Sequence, residues 1–205
     1  LSSPSVISAS KGKSSTNIEI EWEQVPFVET YKIYKSLLPN VSGLESEYVA
    51  TIDASLDTKE LVYSYEIDSE KEKGKELYFA IVAIGATNEM ADISLPRSGY
   101  TLIPGAPGTP EVVGITKGDD KDAITISFRK DSDDDVNWII KRYSLGSSET
   151  IVYSGEYGDK LEDPDENGVL HFVDKNVKSG VEYTYSLTAY NSLGPSAAVT
   201  QVGYL

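Results

Sequence analysis

Residues 4–22 read PSVISASKGKSSTNIEIEW, and residues 110–128 read PEVVGITKGDDKDAITISF. The two stretches align without a gap at an offset of 106, with Pro110 on Pro4, Lys117-Gly118 on Lys11-Gly12, Ile124 on Ile18, Ile126 on Ile20 and Phe128 on Trp22. The offset returns further on, where Asp174 falls on Asp68, Gly180 on Gly74 and Ala189 on Ala83. A period near 100 is too long for a solenoid unit and is the size of a small domain. The chain therefore reads as two copies of one domain.

The ends of the repeated stretches state the class of structure. Residues 18–22 (IEIEW) and 124–128 (ITISF) alternate apolar with polar or acidic side chains, as a half-buried strand does, with Ile18, Ile20 and Trp22 on one face. Residues 181–189 (VEYTYSLTA) alternate again and place Tyr183, Tyr185, Leu187 and Ala189 together. Turn signals recur at Lys11-Gly12-Lys13, Lys73-Gly74-Lys75, Gly118-Asp119, Asn167-Gly168 and Ser179-Gly180. No long segment shows a helical period. Many short strands at this spacing predict an all-β chain of two antiparallel sandwiches, over residues 1–103 and 104–205. The joint, IPGAPGTP at 103–110, is rich in proline and glycine and reads as a short, semi-rigid linker.

Composition narrows the functions. The chain has 205 residues, a net charge of −15 and no cysteine, so no disulfide supports either copy. Two domains of about 100 residues each bury roughly 65% of their unfolded surface, enough for a core without staples. The acidity is shared, with 16 acidic and 9 basic residues before Gly105 and 17 and 9 from there on. A chain this acidic repels phosphate backbones, which argues against a nucleic-acid partner. No apolar run approaches the roughly 20 residues of a membrane span, and membrane insertion is not expected. The start at Leu1 reads as a mature product or a piece of something longer.

The second copy resembles a fibronectin type III domain. The matching residues are Pro107-Gly108-Thr109-Pro110, the alternation Ile124, Ile126, Phe128, the run Trp138-Ile139-Ile140-Lys141-Arg142, and above all FVDKNVKSGVEYTYSLTAYNSLGPS at 172–196. The first copy is similar in register through Trp22 and Tyr31-Lys32-Ile33-Tyr34-Lys35, but has Lys71 and Leu77 where the second has Val177 and Tyr183. The resemblance, to tandem domains of the bacterial extracellular type, implies two immunoglobulin-like sandwiches of seven strands, each with a three-stranded and a four-stranded sheet. It also implies that the tyrosine hydroxyl bond across one corner forms in the second copy and not in the first. Trp22, Phe128, Tyr31 and Trp138 are the expected core anchors. Trp22→Ala is predicted to cost about 3–5 kcal/mol, measurable as a lowered unfolding midpoint of the first domain.

Candidate sites are few. Any Ser–His–Asp constellation must run through His171, the one histidine, in the run VLHFV. Its neighbours Leu170 and Phe172 are expected to face inward, leaving His171 outside as an ordinary strand residue. No phosphate-loop, dinucleotide or metalloprotease motif is present, so catalytic residues and cofactors are expected to be absent. Asp131, Asp133 and Asp135, at alternate positions in DSDDDVN, are the calcium candidates, although the stretch lacks the glycine and terminal glutamate of an EF-hand loop. The remaining candidate is a surface. The strand at 77–84 has Tyr78, Ala80, Val82 and Ile84 on its outer side, where the second copy has Thr184, Ser186, Thr188 and Tyr190. With Lys32 and Tyr34 beside them, Tyr78, Val82 and Ile84 form a predicted partner-binding patch, unless the 36–47 loop or another copy covers it.

The reading is a non-catalytic structural and interaction module, a spacer or adhesion segment of a secreted or surface-attached protein located outside the cell or at its surface. The alternative is an accessory module of an extracellular polysaccharide-degrading enzyme whose catalytic domain lies outside this chain. The expected partner is a protein or a polysaccharide, and the chain a monomer or part of a longer multidomain protein.

Overall fold

A computed structural model describes residues 1–41, 46–54, 58–67, 69–129, 136–155, 161 and 164–205. Packing divides the chain into two units, Leu1–Leu102 and Ile103–Leu205. The first holds β1 (Val6–Ala9), β2 (Asn17–Glu23), β3 (Thr30–Ser36), β4 (Glu47–Asp53), β5 (Glu60–Glu66), β6 (Leu77–Ile84) and β7 (Arg97–Gly99). The second holds β8 (Glu111–Ile115), β9 (Ile124–Arg129), β10 (Asn137–Ser144), β11 (Thr150–Gly155), β12 (Leu170–Asp174), β13 (Tyr183–Tyr190) and β14 (Val199–Gly203). Each unit pairs a three-stranded sheet, β1-β2-β5 or β8-β9-β12, with a four-stranded one, β4-β3-β6-β7 or β11-β10-β13-β14, all antiparallel within the sheets. This strand order is that of a fibronectin type III-like sandwich, twice over.

The alternation seen in the sequence builds both cores. In β2, Ile18, Ile20 and Trp22 are fully buried while Glu19 and Glu23 face water; in β9, Ile124, Ile126 and Phe128 do the same. An edge-to-face aromatic pair spans the two sheets of each domain. Trp22 meets Tyr31 at 5.6 Å in the first, and Phe128 meets Trp138 at 5.0 Å in the second. The tryptophan thus changes strand between copies while the packing geometry stays. In the second domain the Lys178 N–H donates to the Tyr183 hydroxyl at 3.1 Å, the corner bond that the resemblance implied. Leu77 cannot make it in the first. Gly74 and Gly180 hold the corresponding turns at φ of 65° and 76°, in the left-handed region that favours glycine.

The register corrects one part of the repeat. The offset of 106 holds for β2 with β9 and for β6 with β13, but not for β5 with β12. Ile18 lies opposite Tyr65, whereas Ile124 lies opposite Asp174. Asp174 therefore corresponds to Tyr65 rather than to Asp68, which lies outside the described residues. His171 corresponds to Val62. Connecting segments of different length precede the two strands, and the constant offset does not survive them.

Candidate functional site

The predicted partner patch is smaller than its residue types suggest. Lys32, Tyr34 and Tyr78 are half-buried, but Ala80, Val82 and Ile84 are only 1, 6 and 9% exposed. Val82 and Ile84 thus present almost no surface, which corrects the expectation of an open apolar face. The cause is position. β6 is an inner strand, and its short residues lie opposite long ones on β3, Val82 opposite Lys32 and Ala80 opposite Tyr34. In β13 the equivalent Ser186 and Thr188 are buried to the same degree, opposite Lys141 and Ile139. Burial on this face follows from being flanked, whatever the residue type. In the 37–41 stretch Val41 is buried and residues 37–40 are exposed. At the margin of the patch, Tyr34 and Tyr48 stand edge to face, 6.1 Å apart with planes at 72°. They offer no coplanar platform on which a sugar ring could stack.

Each domain closes one end of its core with a cation that the sequence reading passed over. Tyr31, Ile33 and Lys35 share the inward face of β3, so the lysine follows two buried residues into the sandwich. Its Nζ donates to the Tyr65 hydroxyl at 2.7 Å and to Glu72, pairs with Glu47 at 3.1 Å, and lies 5.0 Å from the Tyr65 ring centre. The Tyr65 hydroxyl donates to the other Glu72 oxygen at 2.7 Å. Burial works against the Lys35 charge, but the bonds to Glu72, Tyr65 and Glu47 outweigh it and hold the ammonium above its ordinary range. In the second domain Arg142 takes the place of Lys35. It donates to Asp174 at 2.5 Å and to the Asn176 carbonyl at 2.8 Å, over the Tyr183 ring at 5.1 Å. The Tyr185 hydroxyl also donates to Asp174, at 2.9 Å. Burial first, and then the Asp174 carboxylate, push the Tyr185 phenol well above its usual range. The sequence did carry a signal for both clusters, a cation at an inward parity position of an otherwise apolar strand.

His171 does gather a serine and an aspartate. Its Nδ1 is 2.9 Å from the Ser127 hydroxyl, and its Nε2 is 3.8 Å from Asp165 Oδ2. As expected, Leu170 and Phe172 point into the core and His171 outward. Asp165 is held below the usual carboxylate range, chiefly by the Val169 backbone N–H, in a turn where the Asn167 N–H also donates to it. Ser127, however, sits on β9, the central strand of its sheet with β8 on one side and β12 on the other. Its hydroxyl meets the ring of His171, the residue directly opposite it on β12. The trio is a polar contact that links β9, β12 and the turn before β12. The calcium candidates Asp131, Asp133 and Asp135 lie outside the described residues. Among the described residues no group of three or more metal-binding side chains occurs, and no helix is long and apolar enough to cross a membrane.

No protein-family profile matches the chain, and no curated protein matches it. Among solved structures, it is similar to a two-domain fibronectin type III segment from chicken tenascin, at 15% identity and a TM-score of 0.35, covering 98% of this chain and 99% of that one. It is also similar to the FN1–FN3 domains of chicken CNTN1, at 15% identity and a TM-score of 0.35, covering 100% of this chain and 69% of that one.

Proposed function

We propose that this chain is a non-catalytic structural and interaction segment that acts as a tension-tolerant spacer in a secreted or surface-attached protein. The observation that carries the reading is the parallel pairing of the first and last segments of each domain. In the first, Lys11 bridges Tyr100 in parallel. The Gly12 N–H donates to the Tyr100 carbonyl at 2.8 Å, the Tyr100 N–H to Ser10 at 3.1 Å, and the Leu102 N–H to Ser14 at 2.8 Å. In the second, Lys117 bridges Tyr204, with the Gly118 N–H on the Tyr204 carbonyl at 2.9 Å and the Tyr204 N–H on Thr116 at 3.3 Å. Two parallel segments pulled from opposite ends slide along each other, so these bonds share a pulling force instead of opening one at a time.

Pulling the chain by its two ends tests this. Two separate unfolding events are expected, and in the first domain the Leu102 N–H bond to Ser14 is one of those that share the load. Leu102→Pro removes that donor and should lower the first domain's force while leaving the second unchanged. Unfolding of both domains at the low force of simple strand peeling would refute the reading. An accessory role in polysaccharide degradation is the competing proposal, and glycan binding by the isolated chain would favour it.

A further inference from the structure

An edge strand exposes unpaired backbone donors and acceptors, and folded proteins blunt such edges with charged side chains or by shortening, bulging or covering them. Among the described residues, seven of the eight edge strands are shortened, bulged or bridged. β1, β4, β8 and β11 each carry a bulge or register shift. β7 has three residues, and β14 has five, next to the Lys117–Tyr204 bridge. β12 has five residues, and Leu161 bridges Phe172 on the side away from β9.

β5 is the exception: among the described residues no strand or bridge lies on its outer side. It is seven residues long, ELVYSYE, without lysine or proline, and it pairs with β2 along its whole length in unbroken register. Six residues, 54–59, connect β4 to β5, where fourteen, 156–169, connect β11 to β12 and supply Leu161.

The orientation of the free groups follows from two flanking bonds. The Gln24 N–H donates to Lys59 and the Ile67 N–H to Thr16, each between residues directly opposed in the ladder. In an antiparallel pair the bonding residues alternate, so odd-numbered residues of β5 turn their N–H and C=O to β2. Glu60, Val62, Ser64 and Glu66 turn theirs to the open edge, and their side chains are exposed as well. The same sheet face carries Glu19, Glu21 and Glu23 on β2, with Glu23 directly opposite Glu60, and β1, β2 and β5 contain no basic residue. Opposed like charges on adjacent strands cost stability. The corresponding face of the second domain, with Arg129 paired to Glu111 and with Ser127 and His171, has no such excess. The charges also select the occupant. A second copy of β5 added antiparallel and in full register would set Glu60 against Glu66 at both ends, whereas a strand with basic ends would meet a glutamate at each.

We propose that the free edge of β5 is a docking site for an extended segment of a partner protein that carries lysine or arginine at both ends and alternates apolar and polar residues between them, added to the sheet as a fourth strand. Main-chain bonds to Val62 and Ser64 would supply the pairing and the glutamates the choice of partner. An open cleft at the start of β5 is lined by Glu23, Gln24, Pro26, Thr58, Lys59 and Glu60, two carboxylates against one ammonium.

The test uses the whole chain and a labelled peptide of about seven residues, matching β5, with valine and threonine alternating between terminal lysines. The expected result is binding that slows amide exchange at Val62 and Ser64. Glu60→Lys combined with Glu66→Lys should weaken it about tenfold or more, roughly 1.4 kcal/mol or above, and should make the chain accept a glutamate-ended peptide instead. Ser64→Pro, which removes an outward N–H while leaving the β2 ladder intact, should also abolish binding. The proposal is overturned if the peptide does not bind, if it binds without protecting Val62 and Ser64, or if the charge-reversed chain binds it equally well. Slowed exchange on concentrating the protein alone would overturn it too, by naming a second copy as the occupant. The pulling experiment stands apart, since the parallel segments it loads do not include β5.

Discussion

The closed corner of the first domain and that of the second do the same work with exchanged parts. At matching register positions β3 offers Lys35 and β10 offers Arg142, β5 offers Tyr65 and β12 offers Asp174, β6 offers Phe79 and β13 offers Tyr185. In the second domain the carboxylate comes from the strand and the phenol from its neighbour across the sandwich. In the first the phenol has moved to the strand, and the carboxylate arrives from the following loop as Glu72. What is retained is a cation, an acid and a hydroxyl that satisfy one another at the rim of a core, because a buried charge is tolerated only when paired and hydrogen-bonded. The aromatic pairs teach the same lesson, with tryptophan on β2 in one copy and on β10 in the other. The constraint is on the sum of groups at a place rather than on the residue at a position.

If that is right, the two corners should differ in how much they lose when one part goes. Asp174→Ala leaves Arg142 without its buried acid and Tyr185 without an acceptor, and should cost the second domain about 3 kcal/mol. Glu72→Ala should cost the first domain less, about 1–2 kcal/mol, because Glu47 remains beside Lys35. Separate denaturant transitions for the two domains measure both, and equal losses would break the comparison.

Alkali is the gentler probe, since it leaves every side chain in place. Burial first pushes the Tyr65 phenol up, Tyr185 is pushed up likewise, and Lys35 is held above its ordinary range. For groups raised in the folded state the added stability is complete below the ordinary tyrosine and lysine range, about pH 10. It is lost as pH rises further, because the unfolded chain releases protons that the folded one keeps. Melting temperatures of both domains should therefore fall above about pH 10, and Tyr185→Phe should flatten that fall in the second domain only.

The smallest effect lies in a loop. Phe27 is 93% exposed and held at φ 65°, a conformation that a bulky side chain adopts with strain. Phe27→Gly should stabilise the first domain by about 0.5–1 kcal/mol and leave the second where it is. A loss of stability on that change would show that the exposed ring packs in solution.

The strands and the two cores were legible in the order of residues, because a period of two along IEIEW and ITISF is a local property that one buried face imposes on neighbours in sequence. The pairing of Tyr65 with the place of Asp174 was not legible, nor was the burial of Val82 and Ile84 or the bareness of the β5 edge. Each depends on what lies alongside a strand rather than along it. Register across a sheet is set by loop lengths and packing from distant parts of the chain, so only the folded sandwich decided which cation met which acid and which edge had no neighbour among the described residues.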